Sequence, residues 1–587
     1  MIIQNILLPK SETHEAWEMY CRGKALAKRA TGELYINKGN EISFLTFYNA
    51  LQVRRWKEQC HLADLHLTLK GSGRVTVQFR LSRKFITEKF LYEQEVELTE
   101  QGVELDLPFW NECEPGLLFF AVGALTDTKL SGGFFSTSQV PNTDVKLAVC
   151  ITHFNRQKQV IAAASELNKE LLSDPDYKNI SLIISDNSQN LKQAEVGART
   201  ILIKNRNTGG SGGFTRGLLE AKDRGFTHCL FMDDDAASSA ESIKRVFAFY
   251  SYYQGSQKTA IAGILFHQDH EWVVHEAGGY YRRGQIAPIN GGRNAIAIPE
   301  LLELDDPLEK PNYGAWCFFA FAISGIEHLA FPFFVRGDDT LFSLHNKLNI
   351  ITLLGVSTKI DSFLNKDNKT TFYLSTRSYI SQALILKEAS RGSVIRNFRR
   401  DSHSTLLRLQ YSQSRGIYKA VYDVFNYGAE YFKDDPDGKR FRTELKKVYS
   451  DDEKYEPISS NLDLKVHHSV SGRRENSIQR AIRHLSFNGL FLPDLFFKKQ
   501  IFWRKSIYPS LRDLYRYRQV IYFNDEANTY SIAKYSKKKI IAGLLRDFKV
   551  AYLVFKNFKK TQESFDRLSD YLTSEEYWRK VFKEGKE

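Results

Sequence analysis

Cysteine is scarce and poorly placed for structural work. The 587 residues carry six, Cys21, Cys60, Cys113, Cys150, Cys229 and Cys317, with no Cys-x-x-Cys spacing among them. That scatter argues against a zinc cage and against the disulfide framework of a small secreted domain; a reducing cytoplasm suits it best. Long hydrophobic runs are also lacking: the longest, WCFFAFAISGI at 316–326, is about half of what a bilayer crossing needs. The opening MIIQNILLPKSETHE has no basic flank ahead of its apolar run and no small-residue cleavage site, so it does not read as a signal peptide. Nucleic-acid signatures are missing too, with no helix-turn-helix, RNA-recognition or zinc-finger pattern. The expectation is a soluble or membrane-peripheral protein that does not bind nucleic acid.

What is present is length, aromatic residues and positive charge. A chain of this size exceeds one hydrophobic core and calls for about three domains. Its 13% of aromatic residues can fill several cores, which excludes a mainly disordered chain. The net charge of +13 is concentrated: residues 481–587 hold 22 Lys and Arg against 12 Asp and Glu. Tyr, Phe and Trp are interleaved with those cations, which favours an anionic membrane surface as partner; a solvated helical face is the alternative.

The chain changes rhythm twice. From about 30 to 138 the pattern has period two, as in LADLHLTLKGSGRVTVQFRLS, where Gly71, Ser72 and Gly73 read as a hairpin-like turn. Many short strands of this kind suggest a β-sandwich or jelly roll at 1–140. After the polar linker STSQVPNTD, the runs at 145–152, 181–186, 200–205 and 228–235 are short, apolar and end in polar residues. They alternate with helical stretches, which predicts an open, Rossmann-like α/β sheet at 141–385 whose ligands bind beyond the carboxyl ends of the strands. Arg156, Asp186, Asn205 and the triplet Asp233, Asp234 and Asp235 are expected to converge there. Helical periodicity dominates 386–587, with a small hairpin expected within IYFNDEANTYSIAKYSKKKI at 521–540.

Asp233 and Asp235, one residue apart beyond an apolar strand, suit a hard divalent cation that also contacts a diphosphate and neutralises charge on a leaving group. Acidic triplets also occur as solvated loops; the place directly after HCLFM distinguishes this one. Upstream, NRNTGGSGGFTRG sets Asn207, Gly209, Gly210, Gly212, Gly213 and Arg216 ahead of the helical run LLEAKDRG. Clustered glycines allow close backbone approach to an anion at a helix start. The loop lacks the closing Lys-Ser/Thr of a Walker motif and is not a clean dinucleotide fingerprint; a tight strand-to-helix turn remains the plain alternative. In FPFFVRGDDTLF, Asp338 and Asp339 form a second carboxylate pair. Asp339 is the candidate base for an attacking hydroxyl, against the alternative of an acidic pair complementing a helix dipole. Trp316 in NYGAWCFF either stacks on an acceptor sugar or fills a core.

Together, CITHFNR, LIISDNS, NTGGSGGFTRG, FMDDDA, NYGAW and the GDD element resemble family 2 glycosyltransferases of the GT-A fold, specifically the bacterial galactan-polymerising galactofuranosyltransferases. ISFLTFYNALQVRRW is similar to the start of that group's β-sandwich and TSEEYWRKVF at 573–582 to its C-terminal signature. The resemblance implies inverting transfer of galactofuranose from UDP-galactofuranose to a growing, lipid-linked glycan at the inner membrane face, with Mn2+ or Mg2+. It implies nucleotide-sugar contacts from Arg156, Asp186, Asn207, Gly209, Gly210 and Asp234, and metal contacts from Asp233 and Asp235. It further implies acceptor contact from Trp316 and the base role of Asp339 beside Asp338. The basic helical C-terminal region is membrane-associating in the family, and a homo-oligomer is compatible with it.

Departures are local. Ile360 stands where the family has a metal-binding His, with Asp361 as a substitute oxygen ligand; Cys317 replaces a second Trp, and Leu341 an acidic residue. In HEAGGYY, Glu276 is the candidate for the polar acceptor contact. A related transferase using another UDP-sugar, or a catalytically degenerate glycan-binding or scaffold subunit, are the alternatives.

Overall fold

The computed structural model describes the chain apart from residues 10–13, 29–31, 235–236, 361–368, 450–455, 458–474, 505–508, 525–527 and 585–587. Its contacts gather into two units: one of Met1–Ala330, Asp339–Ile360 and Glu575–Glu587, the other of Phe331–Asp338 and Asp361–Ser574.

The N-terminal part of the first unit is a set of eleven hydrogen-bonded strands. Its spine is the strand His66–Arg83, in which buried Val75, Val77, Phe79 and Leu81 alternate with half-buried Thr76, Gln78 and Arg80. The expected hairpin at Gly71-Ser72-Gly73 is not formed. The strand runs straight through it and changes partners there, from Val103–Asp106 and Thr128–Ser136 on one side to Ile86–Leu98 and Leu117–Ala124 on the other. Gly71 is needed for proximity, since a Cβ there would lie 2.0 Å from the Lys129 carbonyl oxygen.

The α/β sheet follows the four apolar runs closely. Its strands are β1 (Leu147–His153), β2 (Ile180–Asp186), β3 (Thr200–Lys204), β4 (His228–Asp233), β5 (Thr259–Ala262), β6 (Phe318–Ala322) and β7 (Asn349–Ile351), in the order β3-β2-β1-β4-β6-β5-β7. β1 to β4 are mutually parallel, and β6 runs antiparallel to its neighbours β4 and β5. The strands read as unbroken apolar runs because both sheet faces are covered. Helices α1 (Gly209–Asp223), α2 (Ala240–Tyr252) and α3 (Asp338–His345) belong to this part of the chain. In α2 the buried ion pair Glu241–Arg245, 2.8 Å, ties the first strand of the chain to the α/β region. Glu241 accepts from the Asn5 backbone N–H, and Arg245 donates to the Asn5 carbonyl.

The second unit is mainly helical, including α4 (Arg391–Leu407) and the 36-residue α5 (Lys537–Leu572). The expected hairpin is the antiparallel pair Tyr517–Asn524 and Thr529–Lys534; it sits in a four-stranded sheet with Glu456–Pro457 and with Lys498–Arg504, which joins in parallel. The last helix, α6 (Glu575–Lys583), belongs to the first unit. Among the described residues no helix is long and apolar enough to cross a membrane.

Candidate active site

Sequence order reverses between β1 and β4: β2 and β3 extend the sheet on one side of β1, while β4 opens the other. A crevice beyond the carboxyl ends is expected at such a point. The register fills it with polar groups, because Thr152 pairs with Asp233 and His153 with Asp186, and Lys204 continues the row.

Asp234, the middle residue of the triplet, is buried. Its Oδ1 accepts from Arg156 Nη1 at 2.9 Å, and its Oδ2 accepts from the Phe154 backbone N–H at 3.1 Å and lies 3.3 Å from His153 Nδ1. Asp234 therefore fixes the turn after β1 and holds the Arg156 guanidinium at the crevice. The other ring nitrogen of His153 contacts Asn190 Oδ1 at 3.0 Å. Burial disfavours a charged His153, but its bonds with Asp234 and Asn190 and the nearby carboxylates outweigh that and raise its pKa above the ordinary value. His153 was not singled out in the sequence; as the last residue of a strand in CITHFNR, its position was the available signal.

Asp186 is fully buried, and its carboxylate accepts from the backbone N–H groups of Ser188, Gln189 and Leu191 at 2.8–3.0 Å. It shapes the turn after β2. Asn205 donates to Asn187, which donates to the Gly209 carbonyl, so the turns after β2 and β3 share one network. Asn207 Oδ1 accepts from Gly209 N–H at 3.0 Å. The glycine cluster does not precede the helix, as the sequence suggested: it forms the first turns of α1. Tertiary contact overrides glycine's poor helix propensity here. A Cβ on Gly213 would lie 2.3 Å from Thr152 Cγ2, and one on Gly212 would lie 2.0 Å from Thr208 Oγ1. Without those side chains α1 packs directly on β1, with its N-terminus beside the strand ends.

The C-terminal signature folds back onto this helix. Trp578 of α6 is fully buried, donates from Nε1 to the Ala330 carbonyl at 2.7 Å, and lies against Gly212. Arg579 pairs with Asp223 and Lys222 with Glu575. Trp578→Ala is expected to destabilise the first unit by about 3–5 kcal/mol, read as a lowered urea midpoint; an unchanged midpoint would contradict this packing.

Asp233 ends β4 half-buried, with Cys317 Sγ 3.3 Å from its Oδ2. A carboxylate on a rigid strand end is the hard oxygen donor that Mg2+ and Mn2+ accept, so the residue fits such an ion. Asp235 and Asp361 lie outside the described residues. Ala237–Ser238, just after the triplet, pairs with Ser357–Ile360, Ala237 opposite Lys359. The position where the resemblance expects a His is thus on a strand bonded to the segment following the triplet, but buried Ile360 offers no ligand atom.

The segment 312–317 links this point to the second carboxylate group. Cys317 touches Asp233, while Tyr313 Oη donates to Glu276 Oε2 at 3.2 Å. Gly314 N–H reaches Ser343 Oγ, which donates to the Asp339 carbonyl. Half-buried Asp339 accepts through Oδ1 from its neighbour Thr340, 2.7 Å to the backbone N–H. Asp338, buried, starts α3. Trp316 is buried against Phe214, Phe231 and Phe342; this favours a core role, and its Nε1, without a partner among the described residues, is the atom left for a ligand.

Burial, reinforced by the charge of Asp339 and opposed by the Tyr313 bond, pushes the Glu276 carboxyl up to about 8. Glu276 is therefore largely protonated at neutral pH, and its Oε1 has no hydrogen-bond partner among the described residues. The neutral form is favoured by folding, so its contribution is complete below the ordinary carboxyl value and is lost as pH rises through about 8. Wild-type melting temperature is expected to fall more steeply than that of Glu276→Gln between about pH 5 and 9, at ~1.4 kcal/mol per pH unit at most. Parallel curves would contradict the shift.

This crevice, with carboxylates at strand ends and a glycine-rich helix start beside them, suits a nucleotide-sugar enzyme. Residues 3–137 match the family model described as Galactofuranosyltransferase 2 N-terminal. Over 278 residues the chain is 30% identical to Galactofuranosyltransferase GlfT2 of Mycobacterium tuberculosis (strain ATCC 25618 / H37Rv), covering 43% of this chain and 42% of that protein. Over 426 residues it is 23% identical to Galactofuranosyltransferase GlfT2 of Mycolicibacterium smegmatis (strain ATCC 700084 / mc(2)155), covering 66% and 65%. The chain is a relative of these galactofuranosyltransferases, as its motifs suggested, although it matches less than two thirds of the length of either. Likeness to solved structures is slight. A mannosyltransferase from Pyrobaculum calidifontis gives a TM-score of 0.29 at 10% identity, over 53% of this chain and 86% of that one. Mannosyl-3-phosphoglycerate synthase from Rubrobacter xylanophilus gives 0.26 at 11%, over 42% and 76%.

Proposed function

We propose that the chain is an inverting glycosyltransferase of GT-A type that moves galactofuranose from UDP-galactofuranose to a hydroxyl of a growing, lipid-linked cell-surface glycan, at the inner face of the cell membrane. The observation that carries this reading is the segment 312–317, which touches Asp233 at one end and the Glu276–Asp339 group at the other.

Arg156, held by Asp234, and the start of α1 bind the anionic UDP, while Asp186 keeps the adjoining turn in shape. Asp233 and Asp235 would hold Mn2+ or Mg2+, an ion that would supply positive charge to the departing diphosphate. Asp339 takes the proton from the acceptor hydroxyl as its oxygen bonds to the anomeric carbon and the bond from that carbon to the diphosphate breaks. Glu276, protonated and with an open oxygen, offers a donor to an acceptor hydroxyl. Incubation with UDP-galactofuranose, Mn2+ and a galactofuranose-terminated acceptor is expected to extend the acceptor; extension only with another UDP-sugar would overturn the donor assignment. Buried Ile360 at the expected His position favours one second reading, a glycan-binding subunit without turnover, which binding without extension would support.

A further inference from the structure

Asp339 is reached through a peptide in an unusual conformation. Phe334 and Arg336 have φ of 75° and 74°, and Gly337 follows at 82°. A left-handed backbone is unfavourable for a residue with a Cβ, and a bulky one such as Phe is an outlier there. Such residues persist where their surroundings over-determine them, and they gather at functional sites. Here the surroundings are those of the second unit, to which Phe331–Asp338 belongs.

The helix Lys369–Ile385 supplies the hold. Its residues Tyr373, Arg377, Ser378, Ser381 and Gln382 are each at most 2% exposed and share one face of the helix. A buried face of polar groups is costly to make, and an apolar one would serve for packing. What Arg377 and Gln382 add is a pair of bonds to the strained peptide. Gln382 Nε2 donates to the Gly337 carbonyl at 2.7 Å, and Arg377 Nη2 donates to the Phe333 carbonyl. The Arg377 guanidinium lies 5.0 Å from the ring centres of both Phe432 and Phe441, cation–π contacts that fix the donor. The Phe334 ring is held in turn by Phe441, edge-on at 5.4 Å, and by the Arg442 guanidinium at 5.2 Å. A Cβ on Gly337 would lie 2.0 Å from Gln382 Nε2 and 3.1 Å from Ser378 Cβ, so the peptide rests directly on the helix.

We propose that Gln382 and Arg377 are positioning residues for sugar transfer: by holding the Gly337 and Phe333 carbonyls they keep the strained peptide on the course that sets Asp339 against the acceptor hydroxyl. Neither side chain touches a substrate. The effect passes along the chain, since Asp338 ends the held peptide and Asp339 is its covalent neighbour. A general base is sensitive to such a hold, because a shift of about 1 Å costs on the order of a hundredfold in rate. The proposal rests on the reading of Asp339 as the base.

Gln382→Met keeps the length of the side chain and removes the donor. With the full chain, UDP-galactofuranose, Mn2+ and the galactofuranose-terminated acceptor, kcat is expected to fall about tenfold or more. KM for the acceptor and Kd for the UDP-sugar should stay within about twofold of wild type. Arg377→Lys, which keeps a charged donor, should lose less than Arg377→Met. In an Asp339→Asn background, Gln382→Met should cause no further loss, because its effect is exerted through Asp339. A role in packing alone would multiply the two losses and overturn the proposal, as would wild-type kcat in Gln382→Met. A second readout needs no turnover. The charge of Asp339 helps to raise the Glu276 carboxyl, so a displaced Asp339 should let Glu276 titrate at lower pH in Gln382→Met, followed by carbon NMR of the resonance that Glu276→Gln removes. If wild type transfers no sugar, the transferase reading fails and this titration decides alone: a lowered Glu276 supports the hold on Asp339, and an unchanged one overturns it.

Discussion

Asp339→Ala is expected to lower kcat for sugar transfer about a thousandfold, within the roughly 10²–10⁴-fold that a positioned general base supplies, while the Kd for the UDP-sugar changes little. Asp339 sits at the start of α3, on the side of the crevice that holds Glu276, and its charge is felt by that buried carboxyl. Asp339 bonds through Oδ1 to its neighbour Thr340, whereas Arg156 is held by Asp234, so donor binding is expected to survive the substitution. Asp339→Asn preserves shape and removes the proton-accepting charge; it should be as inactive as the Ala variant and should lose the rising acid limb of the pH–rate profile. A second consequence follows from the coupling: without the Asp339 charge, the Glu276 carboxyl should titrate at lower pH than about 8. Retained turnover in Asp339→Asn would contradict the base assignment.

Asp233→Ala is expected to remove transfer by about a hundredfold or more and to abolish any strengthening of UDP binding by Mn2+. The neighbouring carboxylates allow a sharp comparison. Asp233 is half-buried at the end of β4 and lies against the Cys317 thiol, so its replacement should cost little stability. Asp234 is buried and bonded to Arg156, Phe154 and His153. Removing it leaves buried His153 without one of its partners, at about 1–3 kcal/mol, so Asp234→Ala should lower the melting temperature and weaken UDP binding with or without Mn2+. Fluorescence titration of UDP against the two variants, with Mn2+ and with chelator, separates the roles. Equal metal dependence in Asp233→Ala and wild type would contradict the assignment of Asp233.

The parts of this architecture that were legible in the sequence are those where burial alone decides. The four apolar runs of the α/β sheet gave strands β1 to β4 to within two residues at either end, because a strand covered on both faces has no polar alternative. Glycine misled twice, for the same physical reason. At 71–73 it permits a strand to pass close to the Lys129 carbonyl, and at 212–213 it permits a helix to lie against Trp578 and Thr152; both needs are tertiary, and local turn chemistry cannot report them. The strand Lys498–Arg504 was missed because its cationic first half hides the alternation. In the site, Asp233 and Asp339 were legible as carboxylates beyond apolar or aromatic runs. The network of His153, Asp234 and Arg156 required the register of β1 against β2 and β4, which no spacing along the chain contains. Glu276 was reached through the resemblance alone; its protonation depends on burial and on a charge 63 positions away in the chain.

The configuration at the anomeric carbon of the transferred sugar tests the proposed chemistry most directly. With UDP-α-galactofuranose as donor, one displacement by a hydroxyl deprotonated at Asp339 is expected to give a β-linked galactofuranose, read by NMR of the isolated product; an α-linked product would contradict it.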